Sequence, residues 1–282
     1  MIILGLFIAG VGILLAVSGY VWHIRTASII DRLHRASTSA PSITFFTVTD
    51  LAGLPPPVVR YFSAVLHDGQ PLVRQVRVVQ RGQFLVRPTP GGWRPFAATQ
   101  FFATHPAGFV WDAHIRMVPG LSTRVRDAFA DGTGSMLARL MGLWPLVSVE
   151  GTPEIAAAAL QRYLAESVWF PTALLPSQGV NWTELDGSSA RATLSVGATT
   201  VSLDFYFDAD NLVRRVFTPA RGRDVRGRST PTPWQGHFVR YENHSGMKVP
   251  MAGEVEWLLP DGPQKYWRGE ITDIAFDFWQ AP

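Results

Sequence analysis

No cysteine occurs anywhere in the 282 residues. That excludes disulfides, thiol catalysis and a lipid-modified N-terminal cysteine. Lysine is nearly absent as well: Lys248 and Lys265 are the only two, and the remaining cations are arginines. Formal net charge is only +3 and no basic run exceeds a few residues, so no nucleic-acid partner is expected. The seven histidines are scattered, with no pair at helical ligand spacing. Asp204, Asp208 and Asp210 near Asn211 lack the glycine and terminal glutamate of a calcium loop, and that segment reads as a hairpin turn. Gly132-Thr133-Gly134 lacks the lysine of a phosphate loop. No serine sits in a nucleophile-elbow pattern. Neither a metal nor a cofactor is expected.

Apolar and aromatic residues are what the chain has in quantity. Hydrophobic residues make up 47%, with ten Trp and 17 Phe. Such a chain builds a large core, and aromatics at this density fill it or line an apolar cavity. Ile2 to Val21 carries no charge, and a helix of that length crosses the hydrocarbon core. Tyr20 and Trp22 fall where an interfacial aromatic belt sits. No positive segment precedes the run, which argues for a retained helix over a cleaved signal peptide. The expected organisation is an anchor at 1–22, a linker at 23–49 and one β-rich domain at 50–282. The linker's Ser/Thr/Ala-rich part begins at Ala36.

Pro55-Pro56-Pro57 opens a short helix with Val58, Val59, Phe62, Val65 and Leu66 on its apolar face, and Arg60 and Tyr61 off it. A meander of strands then runs to Val149. Within it Trp111, Ala113, Ile115 and Met117 face one way, and Asp112, His114 and Arg116 the other. Ser135–Val149 fits helix or strand, and its hairpin context favours strand. Thr152-Pro153-Glu154 starts a helix running to about Glu166. Pro171 and Pro176 break the chain after it, and hairpins return from Val180. Arg221 to Pro233 reads as an Arg/Gly/Pro loop. About ten strands with hairpin connections predict antiparallel pairing. The expected fold class is α+β, mainly antiparallel β. It is a curved open sheet, or half-barrel, with a few helices across its concave face, preceded by one transmembrane helix.

Several segments resemble a bacterial family of unknown function. They are Leu54-Pro55-Pro56-Pro57-Val58-Val59-Arg60-Tyr61, Trp111-Asp112-Ala113-His114-Ile115, Gly134-Ser135-Met136 and the central stretch from Trp169 to Val180, WFPTALLPSQGV. Pro233-Trp234-Gln235-Gly236 and Gly253-Glu254-Val255-Glu256-Trp257 complete the set. The resemblance covers nearly everything after about residue 50 and implies no activity. More distantly, the inferred architecture resembles the lipoprotein-carrier fold of LolA and LolB. That likeness implies an acyl-chain-sized cavity and an extracytoplasmic domain. Arg25, Arg32 and Arg35 follow the apolar run, which instead favours a cytoplasmic domain of a single-pass bacterial membrane protein.

The candidate site follows from the central helix. Arg162, Tyr163 and Glu166 lie on about one side of it. Arg162 and Glu166 either pair at a surface or face the sheet, where a carboxylate such as Asp112 or Glu254 must satisfy the arginine. Trp169, Phe170, Leu174, Leu175 and Trp182 would line or gate an apolar cavity. Arg162, Tyr163, Glu166 and Gln178 would meet the polar end of a lipid or other apolar ligand. Asp112 beside His114 is an acid/base arrangement that would serve an enzyme acting on a lipid-like substrate, and Glu254 and Glu256 share a strand face as a carboxylate pair of the kind that acts on glycosides. The bland reading of Asp112, His114 and Arg116 is a solvated polar strand face. Glu254 and Glu256 have the same bland reading. A third possibility is a structural or partner-binding domain whose apolar groups are all core.

Overall fold

The computed structural model describes residues 2–37 and 42–280. Positions 1, 38–41 and 281–282 of the expected anchor, linker and domain lie outside the described residues. The chain begins with one long helix, α1 (Ile2–Ala36). A shorter one, α2 (Pro56–Val65), leads into six strands. These are β1 (Val73–Leu85), β2 (Trp93–Thr104), β3 (Ala107–Val118), β4 (Leu121–Ala130), β5 (Thr133–Leu140) and β6 (Trp144–Glu150). The helix α3 (Pro153–Glu166) and three short helical turns between Ser167 and Gln178 follow. Seven more strands complete the fold. They are β7 (Asn181–Asp186), β8 (Ser189–Val196), β9 (Thr199–Phe207), β10 (Val213–Val225), β11 (Arg228–His244), β12 (Met247–Leu259) and β13 (Gly262–Phe278).

All thirteen strands form one open antiparallel sheet in the order β6-β5-β4-β3-β2-β1-β13-β12-β11-β10-β9-β8-β7. The first strand and the last therefore pair at its centre, and two meanders spread outward as wings. α3 leaves one edge strand and, through the short turns, delivers the chain to the other. It packs on β4 and β5 of one wing and on β9 and β10 of the other, so the sheet curls around it. The curl has a local device. Gly82, Gly269 and Gly253 are direct cross-strand partners on β1, β13 and β12. A Cβ on Gly82 would stand 2.1 Å from the Arg268 carbonyl oxygen. A Cβ on Gly253 would stand 2.7 Å from the His237 carbonyl oxygen and one on Gly269 2.6 Å from the Trp267 ring, so all three positions require glycine.

Each helix begins as its sequence dictates. In α3 the Thr152 hydroxyl accepts from the Ile155 N–H, and Pro153 occupies the first helical position. In α2, Pro56 and Pro57 open the helix. Tyr61 of α2 departs from expectation: it is fully buried and tilted against Phe62 and Phe207. Ser135–Val149 is the hairpin β5–β6, as its context favoured.

Two expectations are corrected. Arg221–Pro233 is not a loop but the arms of the β10–β11 hairpin, which turns at Arg226-Gly227. Of its two prolines, Pro231 faces Gly222, and Pro233 sits opposite a register shift between Thr218 and Arg221, where no ladder bond is required of it. The second is the stretch after the apolar run. Residues 23–36 continue α1, because Trp22, Thr26, Ile29, Ile30 and Leu33 recur at helical spacing and bury against the sheet. Beyond the undescribed positions, Phe46 is also buried, and Phe45 bridges to Pro71.

Candidate functional site

The two faces of the sheet receive different residues because strand side chains alternate. Phe109, Trp111, Ala113 and Ile115 of β3 face inward toward α3, in the main core. Val110 faces outward into a second, small apolar cluster with Ala103, Ala128 and Leu33 of α1. Asp112 shares that outer face. Its carboxylate accepts from Trp22 Nε1 at 2.9 Å and from Thr26 Oγ1 at 3.3 Å. Arg126 on β4 lies over the Trp22 ring at 4.8 Å and donates to Thr26 Oγ1. Asp112 is thus a docking group for α1. His114 points out to solvent on the same face.

Arg162 of α3 faces the inner side. Its Nη1 donates to Asp127 Oδ2 at 2.7 Å and its Nε to Glu166 Oε1 at 2.9 Å. The sheet carboxylate that satisfies it is therefore Asp127 of β4, not Asp112 or Glu254. Parity is the reason, since Asp112 and Glu254 point outward. The guanidinium lies over Trp111 at 4.8 Å and Phe109 at 5.3 Å. Glu166 Oε2 accepts from Gln100 Nε2 at 2.7 Å, Gln100 Oε1 accepts from Gln80, and Gln80 Oε1 accepts from Trp111 Nε1. One continuous network runs from helix to sheet centre.

Burial and charge work against each other in this network. Burial pushes the Glu166 carboxyl up, and Arg162 and Gln100 only partly pull it back. Burial also acts to lower Arg162, but Glu166 and Asp127 outweigh it and hold the guanidinium firmly charged. Arg221 of β10 lies close enough to feel Asp127, Arg162 and Glu166. Burial pulls it down from its ordinary value, opposed by Tyr266 and Asp127. Arg221 lies over the Trp234 ring at 5.0 Å, yet its buried Nη1 has no hydrogen-bond partner among the described residues.

From Arg221 the inner face continues as a row of aromatics. Trp234 Nε1 donates to Tyr266 Oη at 2.9 Å. Tyr266 stacks on Trp257 with ring centroids 5.5 Å apart, and Phe84 meets its edge at 6.1 Å. Phe84, Trp257, Tyr266 and Trp267 are only half-buried, unlike the aromatics under α3. This row and Arg221 were missed in the sequence. Trp257 stood out only as the end of the Gly253–Trp257 segment that resembles the family, and Arg221 lay in the supposed loop.

The expected lining residues sit elsewhere. Tyr163, Trp169, Phe170, Leu174 and Leu175 are all buried in the core. Phe102 joins them, 4.7 Å from Phe170 and 6.3 Å from Tyr163. Trp182 is half-buried, with its Nε1 donating to the Leu174 carbonyl. The Gln178 amide has no bond to the Arg162 network among the described residues. Glu254 faces outward, paired with Lys265 at 2.5 Å. It borders an open cleft of about 730 Å³ with Arg81, His237, Arg268 and Glu270. A second open cleft, of about 670 Å³, adjoins Trp93, Glu256 and Lys265. Neither holds Asp112, His114 or any predicted residue of the central helix.

The part of α1 from Gly12 to Ala36 is, by length and composition, long and apolar enough to cross a membrane. Ile13, Leu14, Val17 and Tyr20 are all exposed.

Comparison with known proteins gives a family and a structural likeness. No curated protein matches the chain. A LolA superfamily protein of Nitrosomonas europaea has a solved structure similar over 79% of this chain and 93% of its own. Identity is 11% and the TM-score 0.38. Residues 52–276 match a family of unknown function, and the chain belongs to that family, DUF6920.

Proposed function

We propose that the protein is a membrane-anchored binding protein. It takes an apolar molecule with an acceptor-bearing end, a carboxylate or phosphate, on the inner face of its sheet. α1 supplies the anchor. The aromatic row Phe84, Trp257, Tyr266 and Trp267 takes the apolar body. Arg221 takes the polar end, next to Arg162, whose own charge is already matched by Asp127 and Glu166. The observation that carries this reading is the buried Arg221 Nη1 without a partner, set at the end of half-exposed aromatics. A buried donor left unpaired is costly, and a ligand acceptor removes that cost. The polar end thus moves from Arg162, Tyr163, Glu166 and Gln178 toward the C-terminal wing.

The test is binding of dansyl-undecanoic acid to the full chain in nanodiscs, with empty discs subtracted. Wild type is expected to bind above background. Arg221→Gln is expected to weaken binding by about 10-fold or more, since a hydrogen bond to a charged group is worth ~1.5–3 kcal/mol. Trp257→Ala is expected to weaken it too, and Arg77→Gln on the outer face to leave it unchanged. Wild-type binding at background, or equal affinity in all variants, would sink the proposal.

A further inference from the structure

We infer that the turns of the β3–β4 and β5–β6 hairpins lie in the headgroup layer of the bilayer that α1 enters, where they engage anionic lipid. This rests on α1 being a membrane anchor, as proposed above. The argument is one of length and register. The charge-free run Ile2–Val21 makes about 30 Å of helix at ~1.5 Å per residue, which just matches the hydrocarbon core. Its last residues are not free. Ser18 Oγ donates to the Gly142 carbonyl at 2.6 Å, and Gly19 lies beside the Arg124 guanidinium. The apolar run ends at this level: Tyr20 is exposed there as an interfacial aromatic, and Arg25 is the first charged side chain after it. For the helix to cross, the membrane boundary must reach the level of Ser18–Val21. That is also the level of the β5–β6 turn at Gly142.

The residues at that level suit an interface. Trp144, on the edge strand just past that turn, is 72% exposed, and Leu146 is 54% exposed. Val118 and Leu121 flank the neighbouring β3–β4 turn and are exposed as well. Exposed Trp beside aliphatic residues is the composition that partitions to the headgroup boundary. The outward face next to them is basic. Arg116, Arg124 and Arg139 cluster there with His114, as neighbours across β3, β4 and β5. None of the three arginines has an ion-pair partner among the described residues. Juxtamembrane arginines of this kind attract anionic headgroups. Among the described residues, the opposite end of the sheet has no such set. There Asp131 pairs with Arg32, and the β9–β10 turn carries Asp208 and Asp210.

The absence of cysteine makes the test direct. Trp144→Cys and, as the far-end control, Asp210→Cys are labelled in the full chain with an environment-sensitive fluorophore. Each is reconstituted in vesicles of phosphatidylcholine with or without phosphatidylglycerol. The expected result is a blue-shifted probe at 144, quenched by lipid spin-labelled near the headgroup and shielded from aqueous iodide. The probe at 210 stays quenched by iodide. Phosphatidylglycerol is expected to deepen the 144 quenching, and R116Q/R124Q to abolish that increment. A chain that resists alkaline extraction while its 144 probe remains open to iodide overturns this inference and leaves the anchor reading intact. A chain released by alkaline extraction overturns both. A 144 probe that is shielded but indifferent to phosphatidylglycerol overturns the anionic-lipid part.

Discussion

The same sheet carries charge on both faces, and the two faces use it differently. Outside, arginines of β1 pair with carboxylates of β13: Arg81 with Glu270 directly opposite, Arg77 with Asp273 on the diagonal, and Arg74 with Asp277 beside a bulge. These pairs are largely solvated, with the Arg81 side chain 69% exposed. Inside, Arg162 is 17% exposed and is held by two carboxylates and two aromatic faces. Solvated pairs contribute little, because water and salt screen them. A buried pair has lost its hydration, so removing one partner strands the other. The lesson is that identical residue types become surface finish or core structure according to what covers them: α3 seals Arg162 on the inner face, α1 covers Arg126 on the outer face, and nothing covers the β1–β13 pairs.

That contrast is open to direct attack. The largest effect is expected from Arg162→Ala, which leaves Asp127 and Glu166 buried without their cation. Loss of about 3–5 kcal/mol, read by chemical denaturation, is the expected outcome. A loss below about 1 kcal/mol would show that the cluster is hydrated like the outer ladder. Leu33→Ala tests the apolar dock of α1 on the outer face, where Leu33 is 2% exposed. It should cost about 2–4 kcal/mol and should free the second half of α1 for proteolysis. An intact helix at unchanged stability would contradict the docking described here.

The third effect is a slope with pH. Glu166 has a native pKa raised by burial above the usual 4.5. Between those two values the folded chain holds a proton that the unfolded chain has released. Stability therefore falls as pH rises from about 4.5 through the raised native value. Glu166→Gln should flatten that slope in a denaturation series across pH, and an unchanged slope would assign it to other groups. The smallest effect is expected from Arg81→Gln: below about 0.5–1 kcal/mol, and vanishing in high salt. Anything larger would mean that the outer ladder acts as a network.

Much of the fold was legible because local rules were obeyed. Thr152-Pro153-Glu154 marked the start of α3, and Pro55-Pro56-Pro57 that of α2. Turn glycines separated the strands. What failed did so for identifiable reasons. The second half of α1 is rich in Ala, Ser, Thr and Arg, a composition shared by linkers. Its apolar face Trp22, Ile29, Ile30 and Leu33 is narrow and matters only once a sheet lies against it. The β10–β11 arms are polar because they extend to the sheet's rim, so composition mimicked a loop. At the site, helix spacing put Arg162 and Glu166 on one side of α3 but left open whether that side meets the sheet, and strand alternation separated Asp112 from Trp111 without telling which face is the inner one. That Asp127 would be the partner was not readable, since it depends on which strand of a wide sheet passes under α3. The WFPTALLPSQGV stretch drew attention as a ligand wall, and in the structure it is core. Conspicuous aromatics do not announce whether they are covered. The half-exposed row on β1, β12 and β13 went unnoticed because Phe84 is far from the others in sequence, and because only a bulge in β13 brings the adjacent Tyr266 and Trp267 to one face.

The pairing of β1 with β13 at the centre of the sheet has a temporal consequence. Each wing is a chain of nearest-neighbour hairpins and can form as it leaves the ribosome. The central joint cannot, because its second strand is the last one synthesised. Contacts of such long sequence separation form slowly. Arg221 and Trp257 belong to the late wing, Asp127 and Arg162 to the early part of the chain. During synthesis the N-terminal wing must therefore persist with β1 as an open edge, a surface ready to pair with a stranger. The expectation is that chains truncated before β13 aggregate or recruit chaperones while full chains do not, which pulse-labelled hydrogen exchange of stalled nascent chains would resolve strand by strand.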